Sequence, residues 1–422
     1  MKIAVVGSGI SGMLAARLLS DDHEVHVFEA NDYLGGHTNT IEVEVFGRSY
    51  ALDTGFMVFN HRTYPNFVRM LRWLDIPEQD SDMSFSVRCL RTGLEYQGSS
   101  LGGLFAQRRN LARPAFWRML LDILRFNREA LGLVEQEETT LCLGDFLQRH
   151  RFSKPFIEYY LIPMGAAIWS ARPRDFREFP ARFIVGFFHN HGLLTVRGHP
   201  PWKTTPGGAI RYVRALMRPL ADRARLGCPV TEVRRREQHV LVSTATTSAQ
   251  RFDAVVMASH ADQTLAILAD ASDAERDILG AFPYQDNEAL VHTDASLLPR
   301  RRRAWASWNY GIPRQEGRPV VLTYNLNRLQ KHQSPEPLCV TLNQAEAIAP
   351  GKLLRRIPYQ HPVYSAAALA AQKRYAEING KRRTYFCGAY WGHGFHEDGV
   401  NSALAVAASF GKRWDACTVA ST

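Results

Sequence analysis

The feature that most narrows what this 422-residue chain can fold into is its first thirty residues. Lys2-Ile3-Ala4-Val5-Val6 is a short β-branched run that predicts a buried strand. Gly7-Ser8-Gly9-Ile10-Ser11-Gly12 follows at once and opens a helical pattern through Leu19. A second strand pattern, Val25-His26-Val27-Phe28, ends in Glu29. Gly7 permits a tight turn, Gly9 lets backbone approach a pyrophosphate, and Gly12 lets the helix pack on the strand. The helix N-terminus attracts the negative charge. Glu29 stands where a carboxylate accepts hydrogen bonds from a ribose hydroxyl, which disfavours a 2′-phosphate. A Rossmann-like α/β unit for a dinucleotide is expected, with NADP the poorest candidate.

The next segment separates NAD from FAD. Glu29-Ala30-Asn31-Asp32-Tyr33-Leu34-Gly35-Gly36-His37-Thr38-Asn39-Thr40 follows the pattern E-A-x-x-x-x-G-G-x-x-x-T. It resembles the FAD-binding superfamily that contains flavin amine oxidases, phytoene desaturases and protoporphyrinogen oxidases. The resemblance implies tightly held FAD, with Ala30, Gly35, Gly36, His37 and Thr38 among its contacts. Leu52-Asp53-Thr54-Gly55-Phe56 resembles the family's D-x-G strand, which places Gly55 beside the flavin. Pro206-Gly207-Gly208 resembles the segment that returns the chain to the FAD domain, and Pro229-Val230-Thr231-Glu232-Val233 the strand that touches the adenine side through Val230. A third return runs from Gly388 to Asn401 into a small-residue helix, Ser402 to Phe410. It implies contacts from Gly388, Asp398, Gly399 and Val400. The family's acid after that glycine is replaced by Ala389, with Asp398 or a backbone amide as substitutes. Cys387 does not sit in the amine oxidases' flavinylating context, so the FAD is expected to be non-covalent.

The resemblance implies an amine oxidase/glutathione reductase type of FAD domain, built discontinuously from residues 1–75, 195–265 and 380–422. Residues 76–194 and 266–379 would form an inserted α+β substrate domain. The first insert reads as helical. The second reads as mixed strands, such as Ala289 to Thr293 and Pro319 to Asn325.

Composition sets outer bounds. At 45% hydrophobic and 22% charged residues, the chain is neither disordered nor fibrous. Its six cysteines are dispersed without metal-ligand spacing, so neither a zinc site nor a disulfide framework is expected. No signal peptide or membrane-spanning run is read, which points to the cytoplasm. The net charge is 51 − 41 = +10, which makes acidic surfaces plausible partners. No nucleic-acid-binding module accompanies the basic runs, and anionic lipid is the better partner. Pro114 to Arg128 combines Phe116, Trp117, Leu120, Leu121, Ile123 and Leu124 with Arg113, Arg118, Arg125 and Arg128, preceded by Arg108 and Arg109. It reads either as a core helix with a basic face or as an interfacial helix on the inner face of the cell membrane.

For chemistry, removal of hydride needs a C–H held over the flavin and a proton acceptor. Tyr390 and Trp391 follow the third return and are expected beside the ring, where amine oxidases build an aromatic cage. His393 and His396 are the candidate acceptors near neutral pH. His189, His191 and Trp169 lie in shared segments without assigned roles. Pro163 to Ser170, His189 to Leu194 and Gly388 to Gly392 resemble a bacterial subfamily of FAD oxidoreductases associated with cyclopropane-fatty-acid-synthase-type methyltransferases. That resemblance implies desaturation of an acyl chain, methylated, of a membrane phospholipid, with a lipid methyltransferase as partner. A soluble amine oxidase making imine and hydrogen peroxide is the second reading. A flavin-bearing accessory protein of the methyltransferase is the third.

Overall fold

The computed structural model describes residues 1–135, 141–170, 172–195, 198–314 and 321–412. Cys417 and the start of the 319–325 strand reading lie outside them.

A five-stranded parallel sheet holds the N-terminal motif. Its order is Ala224–Arg225, Glu24–Phe28, Lys2–Val6, Ala254–Met257, Thr384–Phe386. Ile3, Val5, Val27, Val255 and Val256 are fully buried, as strands covered on both faces must be. One face packs on the helices Ile10–Leu19, Ile210–Met217 and His396–Ser409. The other packs on a three-stranded antiparallel sheet made by Val230–Arg235, Val240–Thr244 and Gln250–Phe252. Gln250–Phe252 and Ala254–Met257 part at Asp253, whose carboxylate accepts from the Lys2 amide at 2.6 Å. Residues before it pair antiparallel, and those after it run parallel beside the first strand.

A seven-stranded sheet forms the second body, in the order Leu353–Pro362, Tyr284–His292, Cys339–Leu342, Leu322–Asn325, Trp308–Ile312, Phe85–Cys89, Glu95–Gln97. The insert read as helical therefore contributes two strands to this sheet. Ser86, Val87 and Cys89 of the first are buried, and Phe85–Cys89 pairs parallel with Trp308–Ile312, far along the chain. Helices begin beyond it, including Pro114–Glu129, Ile162–Trp169 and Ala181–Asn190. A small sheet of Phe59–Asn60, Trp202–Thr204 and Gln79–Asp80 joins segments from both bodies.

Candidate active site

A cavity of about 1650 Å³ is lined by residues of both sheets. At one end lie Gly7, Ser8, Gly9, Ile10, Ser11, Glu29, Ala30 and Val230. Gly7 has φ +103°, and a Cβ there would stand 2.8 Å from the Ala258 carbonyl oxygen, so no other residue fits. A Cβ on Gly9 would meet nothing within 4 Å; the protein leaves that space open. Gly12 stands off the wall, where its Cβ would be 2.1 Å from the Gly7 oxygen. That glycine serves helix-to-strand packing. The second glycine turn lies alongside the first: Gly35 donates its amide to the Ser8 oxygen at 3.0 Å and bridges Gly9. Glu29 is buried, and its carboxylate accepts from the Ser8 amide (2.9 Å), Ser8 Oγ (2.6 Å), and the amide and Nδ2 of Asn31 (both 2.9 Å).

Gly36, His37, Thr38, Gly55 and Phe56 line the middle of the cavity. Asp53, upstream in the same segment, turns inward instead. It accepts from Thr40 Oγ1, Gln330 Nε2 (2.8 Å) and the Ala209 amide (2.9 Å), tying the Pro206–Ile210 return to the first hairpin. Burial pushes its carboxyl up to about 7. Opposite, His37 stacks on Tyr359 (centroids 4.7 Å) with His361 at 5.1 Å. Asn287 Nδ2 donates to His361 Nδ1 at 2.8 Å, so the proton of the neutral ring sits on Nε2. Burial pulls His361 down to about 4 and lowers His37 and His260 as well. This wall is polar but uncharged at neutral pH.

Beyond it, the cavity widens into an aromatic chamber of Trp169, Phe187, His191, Trp202, His393 and Phe395. His191 lies on Phe187 with centroids 3.8 Å apart, and His393 lies on Phe183 at 4.8 Å. Trp169 Nε1 donates to the His393 oxygen at 3.2 Å. Among the described lining residues, the carboxylates are Glu29, Asp82 and Asp286. Asp82 is held by Arg328, and Asp286 accepts from Gln360 Nε2. None of these three belongs to the chamber, but an adjoining cavity that shares Phe187, His191, His393 and Phe395 is lined by Glu397 and Asp398.

Six candidate residues stand differently from the expectation. His393 and His396 both line the cavity, and burial pulls them down to about 4 and about 3, which leaves both rings neutral and only weakly basic near neutral pH. Trp391 is not on the wall: it packs on Phe282, Tyr375 and Tyr390, on the far side of its backbone. Tyr390 does line the cavity, with Gly388 and Ala389. Asp398 turns from the cavity to accept the Phe395 amide at 2.9 Å, closing the first turn of its helix, and burial raises it to about 6. Gly399 and Val400 are also off the wall. A Cβ on Gly399 would lie 2.7 Å from Ile10 Cγ2, and Val400 is fully buried beneath. The helix itself begins at His396, six residues ahead of the Ser402 expected from its small-residue pattern.

Residues 10–283, more than half of the chain, match the family model described as flavin containing amine oxidoreductase. The chain belongs to that family. Among curated relatives of this amine oxidoreductase are a 1-hydroxycarotenoid 3,4-desaturase of Flavobacterium sp., 36% identical over 85 residues, and a 4,4′-diapophytoene desaturase of Staphylococcus aureus, 47% identical over 47 residues. The alignments cover 20% and 11% of this chain and only 16% and 9% of those relatives. Solved structures share its whole fold. Cyclohexylamine oxidase from Brevibacterium oxydans has a TM-score of 0.69 at 14% identity, covering 97% of this chain and 99% of that one. A CLA-producing fatty acid isomerase from P. acnes has a TM-score of 0.69 at 14% identity, covering 97% and 98%. At such identity the likeness speaks for the fold alone.

FAD is the cofactor of this amine oxidoreductase, and the residues present fit it. The open space at Gly9, the paired glycine turns and the buried Glu29 carboxylate form a cradle for pyrophosphate and ribose. Buried polar atoms without protein partners, His37 Nε2, His260 Nδ1 and the Tyr390 hydroxyl, belong to residues of the same wall. The cavity exceeds the roughly 300–1,000 Å³ of a single-ligand pocket, leaving room for a substrate beside the cofactor. Cys387 is fully buried off the wall with its thiol pushed up to about 12, so it is no nucleophile for the flavin. Asn287, Tyr359 and His361 had no local motif to announce them. Asn287, Tyr359 and His361 sit on the strand pair Tyr284–His292 and Leu353–Pro362, and only that pairing brings them to the cofactor-binding segments.

Proposed function

We propose that this FAD-dependent oxidoreductase desaturates an acyl chain, methylated, of a membrane phospholipid. One observation carries the reading: the chamber beyond the flavin cradle is aromatic and carries no uncompensated charge, and the cavity continues to Leu120, Ile123 and Leu124 on the Pro114–Glu129 helix. An apolar chain gains roughly 0.8 kcal/mol per methylene buried there, whereas an ammonium group held among these neutral rings would meet a carboxylate of this cavity only at Glu29, Asp82 or Asp286, outside the chamber. The methylated chain itself comes from the subfamily resemblance of Pro163 to Ser170 and Gly388 to Gly392.

Desaturation removes two hydrogens from adjacent carbons, one as hydride with its electron pair and one as a proton, for which the neutral His37 ring, with its unpartnered Nε2, is the acceptor on this wall. FAD, when bound, supplies the two-electron acceptor. The protein's part is to hold the chain between Trp169, Phe187 and His191, to exclude water, and to present uncharged donors. His361 Nε2–H is one such donor, fixed by Asn287. The neutral imidazole wall keeps positive charge away from the carbon that loses hydride.

Anaerobic mixing with methylated phospholipid should bleach the bound FAD and yield the olefin on mass spectrometry. A cyclic or linear amine should not. Bleaching by amines with none by acyl lipid would overturn the proposal in favour of an amine oxidase, as the structurally similar cyclohexylamine oxidase is named.

A further inference from the structure

Ten large apolar side chains are exposed among the described residues, and six of them fall between positions 101 and 131: Leu101, Leu111, Trp117, Leu121, Leu124 and Leu131. Trp117, Leu121 and Leu124 follow one another at helical spacing on the Pro114–Glu129 helix, so they form a stripe. Trp117 is fixed in it, its Nε1 donating to the Leu111 oxygen at 2.9 Å and its ring 5.7 Å from Phe105. Leu124 is 55% exposed and also lines the cavity, so the cavity opens through this stripe. The same 31 residues hold six arginines and two acids, 6 − 2 = +4.

The structure also sorts the residues of the stretch. Phe116 is buried against Tyr96 and Phe105. Arg125 bonds Asp122 at 3.2 Å and lies over Phe152, so it belongs to the fold. Arg108, Arg118 and Arg128 are exposed, Arg118 also reaching Asp122 at 3.4 Å.

We propose that this stripe docks on an anionic bilayer surface, with Trp117 and Leu121 among the acyl chains and the exposed arginines on phosphates, so that a lipid chain passes Leu124 into the cavity without crossing water. The proposal rests on the apolar-chain reading above. Apolar exposure together with positive charge suits a surface that offers both lipid tails and anionic headgroups. No helix among the described residues is long enough to span a membrane, so the contact is peripheral.

The test uses the FAD-loaded full chain and sedimentation with vesicles of phosphatidylcholine, with and without phosphatidylglycerol. The parent should sediment with the anionic vesicles and be released in part by salt. Leu121→Glu, at a position off the cavity wall, should lower partition at least about tenfold with FAD content and melting temperature retained. Arg128→Gln should lower it about fivefold on anionic vesicles only. A parent that ignores anionic vesicles at low salt, or a Leu121→Glu protein that sediments like the parent, overturns the proposal. So does light scattering that finds a dimeric parent and a monomeric Leu121→Glu, which would make the stripe a self-association face. Sedimentation needs no turnover. Vesicle binding without bleaching by acyl lipid would therefore refute the substrate and keep the docking surface, and bleaching without vesicle binding the reverse.

Discussion

The imidazole of His396 lies flat on the phenyl ring of Phe56, centroids 3.5 Å apart and planes 10° from parallel, while its Nε2 meets Thr38 Oγ1 at 2.9 Å. The contact clamps the C-terminal helix to the second glycine turn. His396→Ala should leave a cavity and an unpartnered Thr38 hydroxyl, costing about 2–4 kcal/mol in chemical denaturation. Because burial holds the ring neutral, the pH–rate profile between 6 and 8 should keep its shape in this variant. A lost acid limb would restore His396 as a proton acceptor.

The protein should be acid-labile. His191, His361 and His393 are held at about 4 and His396 at about 3, all by burial. Below the unfolded value near 6.5, the unfolded chain binds these protons and the native chain does not, so stability rises with pH and levels off above 6.5. Each ring costs about 1.4 kcal/mol per pH unit on the way down. Denaturation midpoints should fall steeply from pH 7 to 5, and less steeply in His393→Gln. A flat curve would contradict this.

Two glycines five residues or fewer apart should fail in different ways. Gly12→Ala puts its Cβ 2.1 Å from the Gly7 oxygen and should destabilise the apoprotein by about 1–3 kcal/mol. Gly9→Ala meets no protein atom within 4 Å, so apoprotein melting should hardly move while FAD affinity drops at least about tenfold. Calorimetry of both apoproteins with FAD titration decides the matter.

Glu29→Ala removes a carboxylate placed for the ribose, and charge-assisted bonds of roughly 1.5–3 kcal/mol correspond to a loss in FAD affinity of at least about tenfold. It also strips the acceptor from Ser8 and Asn31, so the apoprotein should lose stability too. Flavin fluorescence in equilibrium dialysis measures the first effect. Unchanged affinity would remove Glu29 from the site.

Met164 lines the cavity on the Ile162–Trp169 helix. Met164→Trp should shorten the chain that fits, raising KM for long acyl chains while short ones and FAD content are spared. An equal loss for every chain length would place the substrate elsewhere.

The cofactor cradle was legible because its physics is local. Gly7, Gly9, Gly12 and Glu29 act through neighbouring backbone within one strand–turn–helix–strand unit, and the turn dictates the glycines. Gly35 and Gly36 follow the same logic one turn later. The strands at Phe85–Cys89 and Glu95–Gln97 were missed because they complete a sheet whose other members lie some two hundred residues away. Nothing nearby distinguishes them from the helical run that follows.

Sequence by itself determined the FAD-binding fold and the family to which the chain belongs. Tertiary structure alone decided which side chains face the chemistry. Tyr390 and Trp391 are adjacent, yet one lines the cavity and the other packs behind it. Arg118 and Arg125 both reach Asp122, but Arg118 keeps most of its side chain in solvent and Arg125 does not. His393 and His396 became weak bases only when aromatic rings from distant segments closed over them. Burial and pairing are properties of contacts between remote residues, and desolvation, which sets both the charge of a histidine and the freedom of an arginine, is written only in those contacts.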